Sequence, residues 1–321
     1  MDSRRSALWF AALAPAKLNL FFEIRSRRED GYHEIETCVC PIRWYDRIWF
    51  RPVADGELRF SCRWVSSFPP DFPPGDLPDG ASNLAYRALE LLRNRTFFDR
   101  GAEVVLIKSI PSGSGLGGAS SDAAAVLALA NRGWQLHLSQ RQLIELAAEL
   151  GSDVPLFLVD GFSLCRGRGE QVRPIGCYPL NFVVVRPPAV LSTREMYQRV
   201  VPPGAPQSAD LLMAALQTGN AYKVGQHLFN RFQEYAAEIC PWVDLIRREF
   251  AKVGVLGHAL TGSGTAYFGL CRSQAHAAWA AGVLRQRKLG LVWAGQSCRG
   301  IACWVEESSH GNHRGPYQAC R

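Results

Sequence analysis

Apolar and polar positions alternate early in the chain, and longer apolar periods dominate after its midpoint. Residues 18–24 predict a strand, and Asp30-Gly31 marks a turn after it. Residues 35–42, 47–50 and 57–63 predict further strands. Residues 68–80 are dense in Pro, Asp and Gly and predict a loop. Ser82-Asn83 then reads as the N-cap of a helix over 84–93. Residues 103–108 alternate as a strand, helices are expected at about 119–131 and 140–150, and strands at 157–166 and 182–186.

Pro187-Pro188 and Pro202-Pro203 bracket a change of character. Beyond them helices are expected at 210–217, 222–229 and 241–253, a strand–turn–strand at 257–270, a helix at 274–286 and a strand at 291–295. The interleaved order predicts an α+β protein of two lobes with a boundary between 180 and 205. We divide it into residues 1–185, 186–305 and a polar, frayed tail at 306–321.

Composition adds bounds rather than chemistry. The 321 residues are 47% hydrophobic and 20% charged, enough to bury a core without disulfides. The net charge of +7 favours anionic partners: nucleic acid, lipid or phosphorylated metabolites. The charge is scattered, which equally suits a solvated basic surface. The ten cysteines are irregularly spaced and contain no C-x-x-C pair, so the expectation is free thiols, a reducing cytoplasm and no structural zinc. Arg4 and Arg5 before the apolar residues 7–14 resemble a short signal peptide. Pro15, Lys17 and Asn19 interrupt that stretch, so no membrane span is expected, and cleavage there would cut a motif.

That motif gains meaning from a second one. Pro111-Ser112-Gly113-Ser114-Gly115-Leu116-Gly117-Gly118-Ala119-Ser120-Ser121 lies between a predicted strand and a predicted helix. Clustered Gly lets the backbone approach an anion, and the following helix offers free N–H groups and a positive dipole end. Ser120 and Ser121 add hydroxyls, and the whole reads as a phosphate cradle. It is not a Walker A loop, because no Lys in the chain follows a Gly.

The segment resembles the second motif of the GHMP kinases. Ala14-Pro15-Ala16-Lys17-Leu18-Asn19-Leu20 is similar to that family's N-terminal motif, and Leu260-Thr261-Gly262-Ser263-Gly264-Thr265 to its C-terminal glycine motif. Asp30-Gly31-Tyr32-His33-Glu34-Ile35-Glu36-Thr37, Gly151-Ser152-Asp153-Val154-Pro155-Leu156-Phe157, Asn83-Leu84 and Gly167-Arg168-Gly169-Glu170 resemble one branch of the family. The resemblance covers residues 10–305 and implies a lobe like ribosomal protein S5 domain 2 followed by a ferredoxin-like lobe. It implies ATP and Mg²⁺ as co-reactants. The implied acceptor is a small molecule, a cytidine diphosphate-linked methylerythritol phosphorylated at its 2-hydroxyl in the non-mevalonate isoprenoid pathway.

The residues fit that chemistry. Phosphoryl transfer needs positioning, charge neutralisation and a group near the attacking hydroxyl. Asp153 could accept the hydroxyl proton, although a helix-ending turn Asp would look the same by spacing. Lys17 begins an apolar strand, where a charge needs a partner, and pairing with Asp153 would supply one. Tyr32 and His33 suit stacking on and hydrogen bonding to a base, and the resemblance places them at the cytosine. It places Asn19 beside the methylerythritol hydroxyls and Asn83 and Lys108 near the adenine, while Asn83 also reads as an ordinary helix cap. Gly262-Ser263-Gly264 suits either the acceptor side of the cleft or a tight turn without ligand. No metal cluster is evident, and Ser121 is the candidate contributor to Mg²⁺. The rivals are a family member with another acceptor (mevalonate, homoserine, isopentenyl phosphate), a nucleic-acid binder and a non-catalytic relative, the last opposed by the presence of both Lys17 and Asp153. Against the second, the basic residues do not cluster on one helix and no aromatic-interleaved motif is seen.

Overall fold

The computed structural model describes residues 8–307. Two long strands open it, β1 (Leu8–Arg27) and β2 (His33–Val53). They pair antiparallel from Phe10 opposite Phe50 to Arg27 opposite His33, with register shifts at Pro15/Ala16, Asn19/Phe21 and Ile24/Ser26. The turn between them uses Gly31 at φ 83°, a left-handed conformation that glycine adopts without strain. The two strands expected at 35–42 and 47–50 are thus one. Pro41, Arg43 and Asp46 hide the alternation, and the irregularity opposite Pro15/Ala16 takes in Arg43 and Trp44. Residues 8–14 of the stretch expected to resemble a leader form the start of β1, with Ala11, Ala12 and Ala14 fully buried. Arg4 and Arg5 lie outside the described residues.

After β3 (Leu58–Trp64) comes α1 (Leu84–Thr96), then β4 (Gly101–Lys108), which runs parallel to β3 and antiparallel to β2. Next come α2 (Gly118–Gly133) and α3 (Gln140–Leu150). Every residue of α2 from Ser121 to Leu127 is buried, so it is the central helix of the lobe rather than an amphipathic cover. Its Ala123, Val126 and Leu127 share a core with Ile48 and Phe50 of β2 and Leu89 of α1. The amphipathic α3 starts at a capping box made by Ser139 and Gln142. The strand expected at 157–166 begins only at Phe162. Pro155 opens a short 3₁₀ turn instead, because its fixed φ and missing N–H suit a helical start. The hairpin β5 (Phe162–Arg166) and β6 (Gln171–Gly176) attaches to β2.

The second sheet begins with β7 (Asn181–Arg186). Five helices and a short strand follow: α4 (Thr193–Arg199), α5 (Asp210–Gln217), α6 (Ala221–Gln226), β8 (Phe229–Asn230), α7 (Phe232–Ile239) and α8 (Pro241–Lys252). The chain closes with β9 (Gly257–Leu260), β10 (Tyr267–Cys271), α9 (Gln274–Gln286), β11 (Leu291–Gln296) and β12 (Ala302–Glu307). The order of this antiparallel sheet is β11-β7-β10-β9. In β7, Phe182 and Val184 pack into one core and Val183 and Val185 into another, so the strand is buried on both faces.

The sheets divide the chain differently from the expected 1–185 and 186–305. β7 lies before the expected boundary yet pairs inside the second sheet, and β12 returns to pair with β1 in the first. The helix expected at 222–229 stops at Gln226, and Phe229 pairs with Phe21 of β1. Leu18, Leu20 and Cys40 of the first sheet share one core with Phe182, Val184 and Phe268 of the second. Trp44 stacks on Trp293 across the junction with ring centroids 5.7 Å apart. Residues 308–321, most of the expected tail, lie outside the described residues.

Candidate active site

The glycine-rich loop connects β4 to α2. Gly113, Gly115 and Gly117 take φ values of 62°, 79° and 73°. A Cβ on Gly115 would meet the Thr261 carbonyl oxygen at 2.2 Å, and one on Gly117 would meet Lys17 Cγ at 2.9 Å. Close packing against β1 and the 261–265 turn therefore demands glycine here. The Lys17 N–H donates to the Leu116 carbonyl at 2.9 Å, and the Ala266 N–H to that of Ser114 at 3.0 Å. Gly117 caps α2 without a side-chain hydrogen bond. The first N–H groups of the helix thus keep donor capacity at its positive end, which suits a phosphate.

A cavity of about 1200 Å³ opens on one side of this loop. Lys17 is 3% exposed on its floor, and its Nζ lies 3.6 Å from Oδ2 of Asp153. The Asp153 side chain is 45% exposed, so one carboxylate oxygen remains open to a ligand. Asp153 follows the C-terminus of α3, capped by Gly151, so helix end and chemical group coincide. Lys17 also donates to Asn19 Oδ1 at 2.6 Å. Asn19 is buried, accepts from Thr261 Oγ1 at 3.2 Å and donates to Thr37 Oγ1 at 2.8 Å. Its side chain is thereby committed to holding Lys17 and bridging the two sheets.

Tyr32 and His33 form the far wall of the same cavity. The Arg168 guanidinium lies 4.9 Å from the Tyr32 ring centroid. His33 faces Tyr197 of α4 with ring centroids 5.3 Å apart. Partial burial, assisted by the charge of Arg27, pushes the His33 imidazole below its usual pKa and favours the neutral ring. Burial pushes the Tyr197 phenol up, with the Asp153 charge acting the same way.

A second cavity of about 360 Å³ lies on the other side of the loop. Pro111, Ser112, Gly113, Ser114, Gly115, Leu116, Gly117, Gly118, Ala119 and Ser120 line it, together with Asn83 and Lys108. Ser121 is fully buried, lines neither cavity, and leaves its Oγ without a partner among the described residues. Ser120 touches both cavities, so it, rather than Ser121, offers a hydroxyl at the loop. Asn83 both lines the cavity and caps α1, accepting from the Ala85 N–H at 3.0 Å.

Lys108 is tied down beneath the loop. Its Nζ bonds Oδ2 of Asp122 at 2.5 Å and also Oδ2 of Asp46. All three side chains are buried. Burial alone would lower the pKa of Lys108, but the two carboxylates outweigh it and hold it above its usual value. Burial, joined by the charge of Asp46, raises Asp122 well above the carboxylate range despite the pull of Lys108.

The 261–265 turn partitions the two cavities. Gly262 and Ser263 line the larger and Gly264 the smaller, and Ser263 Oγ meets Thr193 Oγ1 at 2.8 Å. The turn is thus both tight and part of the cleft. Sequence reasoning did not single out Thr193, Tyr197, Asp46 or Asp122. The two acids lie 62 and 14 residues from Lys108, and only the family resemblance marked that position.

Residues 83–161 match the family model for the GHMP kinases N terminal domain, and residues 212–287 that for the GHMP kinases C terminal. A 4-diphosphocytidyl-2-C-methyl-D-erythritol kinase of Pelotomaculum thermopropionicum is 40% identical over 81% of this chain and 88% of its own length. The chain belongs to this family of GHMP kinases. The Bacillus subtilis kinase of the same name is 35% identical over 80% of this chain and 86% of its own. A crystal structure of 4-(cytidine 5'-diphospho)-2C-methyl-D-erythritol kinase superimposes with a TM-score of 0.76 at 35% identity, covering 90% of this chain and all of that one. Homoserine kinase from Cytophaga hutchinsonii, at 17% identity and TM-score 0.71, shares the fold. The two-lobed GHMP kinase fold expected from the motifs is the fold observed.

Proposed function

We propose that this kinase transfers the γ-phosphoryl of ATP to the 2-hydroxyl of 4-diphosphocytidyl-2-C-methyl-D-erythritol, a step of the non-mevalonate isoprenoid pathway. The carrying observation is the Lys17–Asp153 pair. It lies in the larger cavity, between a phosphate-cradling loop and the aromatic wall of Tyr32, His33 and Tyr197. ATP occupies the smaller cavity, its base towards Asn83 and Lys108 and its phosphates along residues 111–120. The acceptor occupies the larger one, with its cytosine at Tyr32 and His33.

In this reading Asp153 takes the proton of the attacking hydroxyl, and Lys17 fixes the carboxylate and offers positive charge beside the transferring group. The commitment of Asn19 to Lys17 favours a positioning role over direct contact with the polyol. No group of three or more His, Cys, Asp or Glu side chains among the described residues forms a metal cage. Mg²⁺ would therefore be held mostly by triphosphate oxygens and water, where it neutralises developing charge, with Ser120 at hand. The neutral His33 ring suits one hydrogen bond to a pyrimidine edge.

The test is ADP release measured on a panel of acceptors. Turnover with 4-diphosphocytidyl-2-C-methyl-D-erythritol, at least a hundredfold above mevalonate and homoserine, is the expected result. Preferential turnover of mevalonate or homoserine would keep the phosphate loop and reject the acceptor.

A further inference from the structure

The larger cavity has a charge imbalance that Lys17 and Asp153 do not explain. Among the described residues Lys17, Arg27, Arg168 and Arg194 line it, against Asp153 as its one acidic residue. Lys17 is paired with Asp153. Arg168 covers the Tyr32 ring and reaches Glu170 at 4.0 Å. Arg27 and Arg194 remain, and neither has a carboxylate within 4.0 Å among the described residues. The neighbours of Arg27 are all committed, Arg25 to Glu36 and Arg28 to Asp30 and Glu34. Arg194 sits in the first turn of α4, where a cation opposes the helix dipole and gains nothing for the fold.

Their positions bracket one stretch of the cavity. Arg27 pairs opposite His33 in the β1–β2 register, beside the aromatic wall. Arg194 follows Thr193, which touches both cavities and bonds Ser263, and lies three residues before Tyr197, which faces His33. Arg27 thus comes from the end of β1 and Arg194 from α4, and both line the cavity that holds the aromatic wall and the Lys17–Asp153 pair. A cytidine diphosphate-linked polyol with its base at that wall and its hydroxyl at that pair presents a diphosphate between them, inside this cavity.

We infer that Arg27 and Arg194 hold the diphosphate bridge of the acceptor and make the enzyme select nucleoside-diphosphate-linked polyols over uncharged or singly phosphorylated ones. The inference rests on the acceptor reading above. Guanidinium forks match phosphate oxygens in geometry and stay charged at every working pH. Arms from both lobes also tie acceptor binding to the relation between the lobes.

The test compares cytidine diphosphate with cytidine as competitors of the acceptor in wild type, Arg27→Ala, Arg194→Ala and the double variant. Each single variant should weaken cytidine diphosphate by about tenfold and the double variant by roughly a hundredfold. Cytidine inhibition, the KM for ATP and the melting temperature should stay unchanged, and Arg194→Lys should restore part of the loss. Unchanged affinity for cytidine diphosphate in the double variant would overturn the inference while the acceptor reading stands. An equal loss for cytidine would also overturn it, by making the arginines part of the base wall. A wild type that neither binds cytidine diphosphate nor turns over the acceptor would reject both.

Discussion

Two buried lysines lie on opposite sides of one phosphate loop, and each meets aspartate. Lys108 is closed in by Asp46 and Asp122. Asp46 is further satisfied by the backbone N–H of Ile110 at 2.9 Å and by that of Ser109. Among the described residues Lys17 meets a single carboxylate, at 3.6 Å, and that carboxylate is nearly half exposed. The residue types are the same, but the satisfaction differs. A buried, multiply bonded cluster fixes β2, β4 and α2 relative to one another beneath the loop. An open, singly bonded pair keeps an oxygen free for a reacting hydroxyl. Burial of a charge therefore marks structure or chemistry according to whether its partner carboxylate is itself buried or exposed.

The comparison breaks first under charge removal. Lys108→Met leaves two buried carboxylates without their cation and should destabilise the protein by about 3–5 kcal/mol in chemical denaturation. Lys17→Met leaves a half-exposed Asp153 that water can solvate, so its stability loss should be far smaller while activity collapses. Equal losses of stability would erase the distinction between the clusters.

Asn19→Ala should follow in size. It removes a partner from Lys17, Thr37 and Thr261 together, and the expected cost is about 1–3 kcal/mol with a fall in kcat of roughly tenfold. A rise in the acceptor KM with kcat intact would instead make Asn19 a substrate contact.

Asp122→Asn gives the smallest effect and carries a pH signature. The folded-state pKa of Asp122 lies above its unfolded one. Its contribution to stability is then complete below the ordinary carboxylate range, about pH 4, and is lost as pH rises through the raised value. The advantage of wild type over Asp122→Asn should shrink as pH rises above the ordinary carboxylate range. An advantage that grows with pH would mean that Asp122 is a stabilised carboxylate.

The sequence made the local parts of this site legible. Gly113, Gly115 and Gly117 announced backbone that only glycine accepts, and Lys17 on an apolar strand announced a buried charge needing a partner. Asn83 could be read as a cap because capping is a contact over two residues. The long-range parts left no local trace. Nothing near Lys108 points to Asp46, and nothing near His33 points to Tyr197, because pairing across sheets is set by topology. The return of β12 to β1 was invisible for the same reason, its partner lying almost the whole chain away. Prediction of β2 as two strands failed where an irregularity and Pro41 broke the alternation that marks a strand.

The central claim is that the open Lys17–Asp153 pair performs the chemistry. Asp153→Asn keeps the shape of the side chain and removes its charge and basicity. With ATP, Mg²⁺ and 4-diphosphocytidyl-2-C-methyl-D-erythritol, the variant should lose about a hundredfold or more in kcat while its folding stability and KM for ATP hold. A variant that retains most of the wild-type kcat would contradict the account and move the chemistry elsewhere in the cleft.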